Sequence, residues 1–172
     1  MGKALLVIDM LNDFVEEKGS LYVGEGARKV IPFIKQKIEE FRKEACPVVF
    51  VCDSHEKDDR EFEMFPPHCI SGSWGSEVIK ELELKKEDKI VKKRRYSAFY
   101  GTDLDLYLRE RGINELFLMG VCTNICVLYT AKDARERGYS VKIFKDGVAS
   151  FDESVHEFAL REAKSTLGCE LI

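Results

Sequence analysis

Ala4-Leu5-Leu6-Val7-Ile8-Asp9 opens the chain with five apolar residues in a row, closed by a carboxylate. A strand with one face in water alternates apolar and polar residues. An unbroken run of this length reads instead as a strand covered on both faces, as in a parallel sheet held between two layers of helices. An unbroken apolar run recurs at 48–52, and further strand segments fall at 115–119 and 141–144, with shorter ones at 89–91 and 170–172. Amphipathic stretches separate them. Val30, Ile34, Ile38 and Phe41 form a stripe at helical spacing, and Pro32 restricts the start of that helix to about a turn earlier. Thr102 can cap a helix through Leu108 that stops at Gly112, and Thr123 one that stops at Gly138. A last helix covers 153–164, ahead of Gly168. The expected architecture is a three-layer α/β/α fold with a mostly parallel, doubly wound, six-stranded sheet, in a single domain spanning 1–172.

The composition narrows the function classes. A chain of 172 residues, 45% hydrophobic and 34% charged, can bury a continuous core without disulfide staples. A net charge of -4 argues against broad binding to nucleic acid or to anionic membrane. The basic run Lys92-Lys93-Arg94-Arg95 is short and reads by default as a solvated loop. No apolar run approaches the length of a bilayer span, and Asp9 interrupts the N-terminal one before it could serve as an export signal. A soluble, cytoplasmic protein is expected. Its six cysteines are then mostly reduced, with Cys46, Cys52 and Cys169 as buried filler.

Ligands of open α/β sheets bind beyond the carboxyl ends of the strands. Several reactive residues fall there: Asp9 after the first strand, Asp53 and His55 after the second, Lys92 and Lys93 after the third, and Gly120 to Cys126 after the fourth. A carboxylate placed directly after Leu-Leu-Val-Ile is partly desolvated, which raises its pKa and suits it to proton transfer. A thiol at Cys126, one turn into the helix opened by Thr123, meets the positive end of the helix dipole, which favours the thiolate. Backbone N–H groups at the same turn can hold an oxyanion. Cys122 and Cys126 have a Cys-x-x-x-Cys spacing, which is not the dithiol redox motif.

The stretch 53–74 is too long for a plain connection. It carries Asp53, His55, Glu61 and His68, two imidazoles with carboxylates, a donor set that suits Zn²⁺, Mn²⁺ or Fe²⁺ with positions left open. The remaining histidine, His156, reads as a surface residue of the last helix. Gly24-Glu25-Gly26 lacks the third glycine of a dinucleotide fingerprint and reads as a turn before a helix.

Three segments, Asp9-Met-Leu-Asn-Asp13-Phe14, Lys93-Arg-Arg-Tyr96-Ser-Ala-Phe-Tyr-Gly-Thr-Asp103 and Gly120-Val-Cys-Thr-Asn-Ile-Cys126-Val, resemble the isochorismatase-like cysteine hydrolases. They stand in the family's order across nearly the whole chain, and Asp146-Gly-Val-Ala-Ser150 adds a fourth. Within that superfamily Asp53-x-His55, Glu61 and Phe65-Pro-Pro-His68 resemble the nicotinamidase branch, which hydrolyses nicotinamide to nicotinate and ammonia. True isochorismatases share the Lys-x-Arg-Tyr-Ser-Ala-Phe segment but typically lack the nucleophilic cysteine and the metal ligands.

The resemblance implies a triad of Asp9, Lys93 and Cys126, with Lys93 chosen over Lys92 by the Lys-x-Arg-Tyr spacing. It implies an oxyanion hole from the backbone of Cys122 and Cys126, and a cis peptide before Cys122. A divalent metal, Zn²⁺ first and Mn²⁺ or Fe²⁺ also compatible, is implied at Asp53, His55 and His68, with Glu61 as a further ligand, directly or through water. Phe14, Phe65 and Tyr96 are implied around a pyridine ring. The implied partner is a small-molecule amide, and self-association into a homo-oligomer is frequent in the family. Leu11 departs from a common Gln, and Cys122 from a small or aliphatic residue. Two other readings compete: the same hydrolase chemistry on an N-carbamoyl compound or ureide, and a non-catalytic binding or redox-sensing domain built on Cys122 and Cys126.

Overall fold

A computed structural model describes residues 2–172. Its six strands are β1 (Gly2–Ile8), β2 (Val48–Asp53), β3 (Lys89–Lys93), β4 (Ile113–Val121), β5 (Ser140–Ala149) and β6 (Glu170–Leu171). They form one sheet in the order β3-β2-β1-β4-β5-β6. Every pairing is parallel, so the expected mostly parallel sheet is parallel throughout. The helices are α1 (Asn12–Val15), α2 (Glu25–Lys29), α3 (Ile31–Lys43), α4 (Leu104–Glu110), α5 (Leu128–Glu136) and α6 (Glu153–Ser165).

The alternation of side chains along β1 divides the core in two. Leu5 and Val7 pack with Ile34, Ile38 and Phe41 of α3. Ala4, Leu6 and Ile8 pack on the other face with Leu104 and Leu108 of α4, Ala131 and Ala134 of α5, and Leu160 of α6. Both faces of the sheet are therefore buried, which is why these strands read as continuous apolar runs. Each fully buried aliphatic side chain contributes about 1.5–3 kcal/mol. Among the described residues, no helix is long and apolar enough to cross a membrane.

Two departures from the sequence reading have local causes. β5 runs on to Ala149 after a bulge: Leu118 pairs with Ile143, and the next pairing is Gly120 with Val148. The exposed Lys145 and Asp146 sit in that bulge, so the apolar pattern breaks at Phe144 while the strand does not. The segment Thr123–Val127 is a wide turn closed by Val127 N–H on the Cys122 carbonyl (3.2 Å), ahead of α5. Thr123 does not cap it, because its hydroxyl pairs with His156 Nδ1 on α6 (2.8 Å). His156 is accordingly half-buried, not a free surface residue.

The order of strands reverses between β1 and β4, and the crevice at such a switch point is where a ligand sits. Gly120 makes the close approach there. Its φ of +117° suits only glycine, and a Cβ would lie 2.0 Å from the Ile8 carbonyl oxygen.

Candidate active site

Asp9 leaves β1 with φ +52°, a left-handed conformation that Asp and Asn tolerate better than most residues. Its N–H donates to the Val51 carbonyl (2.8 Å), and its Oδ1 accepts from Asp53 N–H (2.9 Å). The carboxylate is thereby fixed across the ends of two neighbouring strands.

Strand register sends the two lysines to opposite faces of the sheet. Asp53 pairs with Lys93 in the β2–β3 ladder, while Lys92 points to the opposite face and is exposed. Lys93 is buried, and its Nζ reaches Asp53 Oδ1, Asp9 Oδ2 (2.8 Å) and Cys126 Sγ (3.4 Å). The approach to Asp9 Oδ2 is an ion pair not aligned as a hydrogen bond. The basic run is therefore only in part solvated: Lys92 and Arg94 are exposed, but Lys93 faces inward, and Arg94 and Arg95 both close on the buried Asp59.

The cluster is electrostatically tense. Burial, and then the neighbouring Asp53 charge, raise the Asp9 carboxyl to about 6 against the pull of Lys93. Burial also acts on Asp53, but Lys93 and the two imidazoles outweigh it and hold that carboxyl well below the usual range. Lys93 stays charged despite its burial because Asp53 and Asp9 face it. Burial pushes the Cys126 thiol well above its usual range, with the Lys93 ammonium opposing. Position at the head of a helical segment thus does not offset burial here, and the Asp9 carboxylate stands beside the thiol. Cys52 and Cys122 are raised to about 12 by burial. All six cysteines are free.

The loop after β2 is folded back on itself. His55 N–H donates to the Cys69 carbonyl (3.0 Å) and Ser71 N–H to the His55 carbonyl (2.9 Å). Cys69 N–H in turn donates to Asp13 Oδ2 (2.7 Å), which ties the loop to α1. Asp53, His55 and His68 consequently bring one ligand atom each within 4.8 Å of the others. His68 Nε2 lies 3.7 Å from Asp53 Oδ2 and 4.0 Å from Glu61 Oε1.

The donor chemistry fits a divalent cation. Asp59 and the Pro66 carbonyl can only accept, so His55 Nδ1 donates to Asp59 Oδ2 (3.1 Å) and His68 Nδ1 to Pro66 O (2.8 Å). Each Nε2 is left to face Asp53. His55 Nε2 is buried and has no hydrogen-bond partner among the described residues, an orphan that a metal contact would satisfy.

A cavity joins the two groups. Asp9 and Cys126 line it together with Asp53, Glu61 and His68, and Phe14, Phe65 and Tyr96 line it as well. His55 stands behind His68, their rings 4.8 Å apart. Sequence reasoning missed Leu21, Ile125 and Phe151 in the wall; a lone apolar residue in a loop carries no signal of its own. It also missed Phe62, which packs on both imidazoles at 5.4 and 5.6 Å. The Val121–Cys122 peptide is cis.

The Isochorismatase domain family matches residues 3–172. The Bacillus subtilis (strain 168) protein described as uncharacterized isochorismatase family protein PncA is 41% identical, over 99% of each chain. The crystal structure of nicotinamidase/pyrazinamidase PncA from Bacillus subtilis has a TM-score of 0.94 at 44% identity, covering 99% of both chains. That of the pyrazinamidase of Pyrococcus horikoshii in complex with zinc also has a TM-score of 0.94, at 32% identity, covering 100% of this chain and 99% of that one.

Proposed function

The chain belongs to the isochorismatase family and is an amide hydrolase of its nicotinamidase branch; on that premise we propose that it converts nicotinamide to nicotinate and ammonia through a thioester on Cys126. The observation that carries this reading is that one cavity is lined at once by Asp9 and Cys126, by Asp53, Glu61 and His68, and by the aromatic side chains of Phe14, Phe65 and Tyr96.

In the proposed reaction the amide carbon sits over Cys126 Sγ. Asp9, ionised above about pH 6, takes the thiol proton as the sulfur attacks, and Lys93 stabilises the negative charge passing between them. Backbone N–H groups of Cys122 and Cys126 hold the carbonyl oxygen as it becomes an oxyanion. Asp9 then delivers its proton to the departing nitrogen, and ammonia leaves. A water, deprotonated by the same carboxylate, attacks the thioester carbon. The C–S bond breaks, the thiol regains its proton, and nicotinate is released. Asp53, His55 and His68, with Glu61 as a further ligand, would hold a divalent cation, which would supply a Lewis-acid contact for the pyridine nitrogen. Phe14, Phe65 and Tyr96 sandwich the ring.

The test is ammonia release from nicotinamide by the purified protein, before and after chelation and with zinc restored. Cys126→Ala is expected to abolish it. No turnover of nicotinamide in the zinc-restored enzyme, with turnover of N-carbamoyl compounds or ureides instead, would reassign the substrate. Full activity in Cys126→Ala would remove the mechanism.

A further inference from the structure

Asp59 has no place in the reaction just described, yet its carboxylate is held by partners from three segments of the chain. It is buried, although its neighbours Asp58 and Arg60 are exposed. Oδ1 accepts from Glu61 N–H (3.0 Å) and from Arg95 Nη1 (3.0 Å). Oδ2 accepts from His55 Nδ1 (3.1 Å) and from Arg94 Nε (3.2 Å). One carboxylate thus touches one metal-ligand candidate through its ring and another through its backbone. It is also clamped by the two arginines that follow Lys93 in sequence.

We infer that Asp59, braced by Arg94 and Arg95, is a positioning residue for the cation centre. Accepting from Nδ1, it orients the His55 ring and turns Nε2 toward Asp53. Capping the turn at Glu61, it sets that carboxylate against His68. The arginines balance its charge, so the site gains a fixed acceptor without adding an uncompensated anion to the burial of Asp53 and Glu61. Histidine ligands of metals are commonly oriented this way, and loss of such a partner costs about 10–100-fold in metal affinity. The inference rests on the metal reading of the previous section.

The experiment measures zinc affinity by competition with a chromophoric chelator, and the rise in Tm that zinc produces, for the full chain and three variants. Asp59→Ala is expected to bind zinc about 10–100-fold more weakly and to show a smaller zinc-induced rise. Its ammonia release should recover as zinc is raised, because the loss lies in loading the site. Asp58→Ala, one residue away and solvated, is the control and should match wild type. Arg94→Gln/Arg95→Gln leaves the turn cap in place and should weaken zinc binding in the same direction by less; it carries the test if Asp59→Ala does not fold. Wild type that binds no zinc overturns the metal reading and this inference with it. Wild type that binds zinc, with Asp59→Ala and the double variant unchanged, overturns this inference alone.

Discussion

Replacing Asp9 by Asn is expected to make the protein more stable at neutral pH while removing its turnover. The folded carboxyl titrates at about 6 against an ordinary 3.8, because burial strips it of water and Asp53 stands beside it. Since the folded value is the higher one, the protonated carboxyl is the form that folding favours. Stability from this group is full below pH 3.8 and is lost as pH rises through 6, by about 3 kcal/mol at the alkaline end. Asparagine imitates the protonated acid, tolerates φ +52°, and never ionises, while Lys93 keeps Asp53 as its partner. Urea denaturation of the chelated proteins should show the Asn variant gaining on wild type by about 2 kcal/mol between pH 4 and pH 8. Ammonia release should fall by about 10²–10⁴-fold, the usual contribution of a positioned acid–base group. A stability difference that stays flat across that range would refute the reasoning. So would a variant less stable than wild type at pH 8, since the ion pair with Lys93 would then outweigh burial.

Three other outcomes follow from the same geometry. Lys93→Ala, which strands two buried carboxylates, should cost about 3–5 kcal/mol, whereas Lys92→Ala should stay within about 0.5 kcal/mol, both read by urea denaturation. Gly75→Ala places a Cβ 2.0 Å from Asp13 Oδ2, the carboxylate that pins Cys69 to α1; a loss of about 1–3 kcal/mol is expected by thermal melting. The pH profile of kcat/KM should fall on its acid side near pH 6, as Asp9 takes up a proton and ceases to act as a base.

Much of this site was legible because strand ends are legible. Once Ala4–Ile8 is read as a strand buried on both faces, Asp9 must sit at its carboxyl end, and the same logic places Asp53, Lys93 and Cys126 on one rim. What the sequence conceals depends on contacts between segments far apart along the chain. Thr123 looks like a helix cap, but the wide turn after β4 and the proximity of α6 give its hydroxyl to His156. β5 looks short because its bulge carries Lys145 and Asp146. Arg94 and Arg95 look solvated because nothing in a four-residue basic run announces a buried Asp59. The wall residues Leu21, Ile125 and Phe151 come from three separate segments and converge only in the fold.

Asp53 gives one oxygen to Lys93 and turns the other toward His55 and His68. The two halves of the site are therefore not independent variables. Thermodynamic linkage requires that, by whatever factor a settled Lys93 alters affinity at the imidazole end, occupancy at that end alters the hold on Lys93 equally. A substitution at Asp53 itself mixes both terms and apportions neither. A double-mutant cycle pairing a change at Lys93 with one at His68 leaves Asp53 in place, and its interaction energy measures how strongly one shared carboxylate joins the lysine end to the imidazole end.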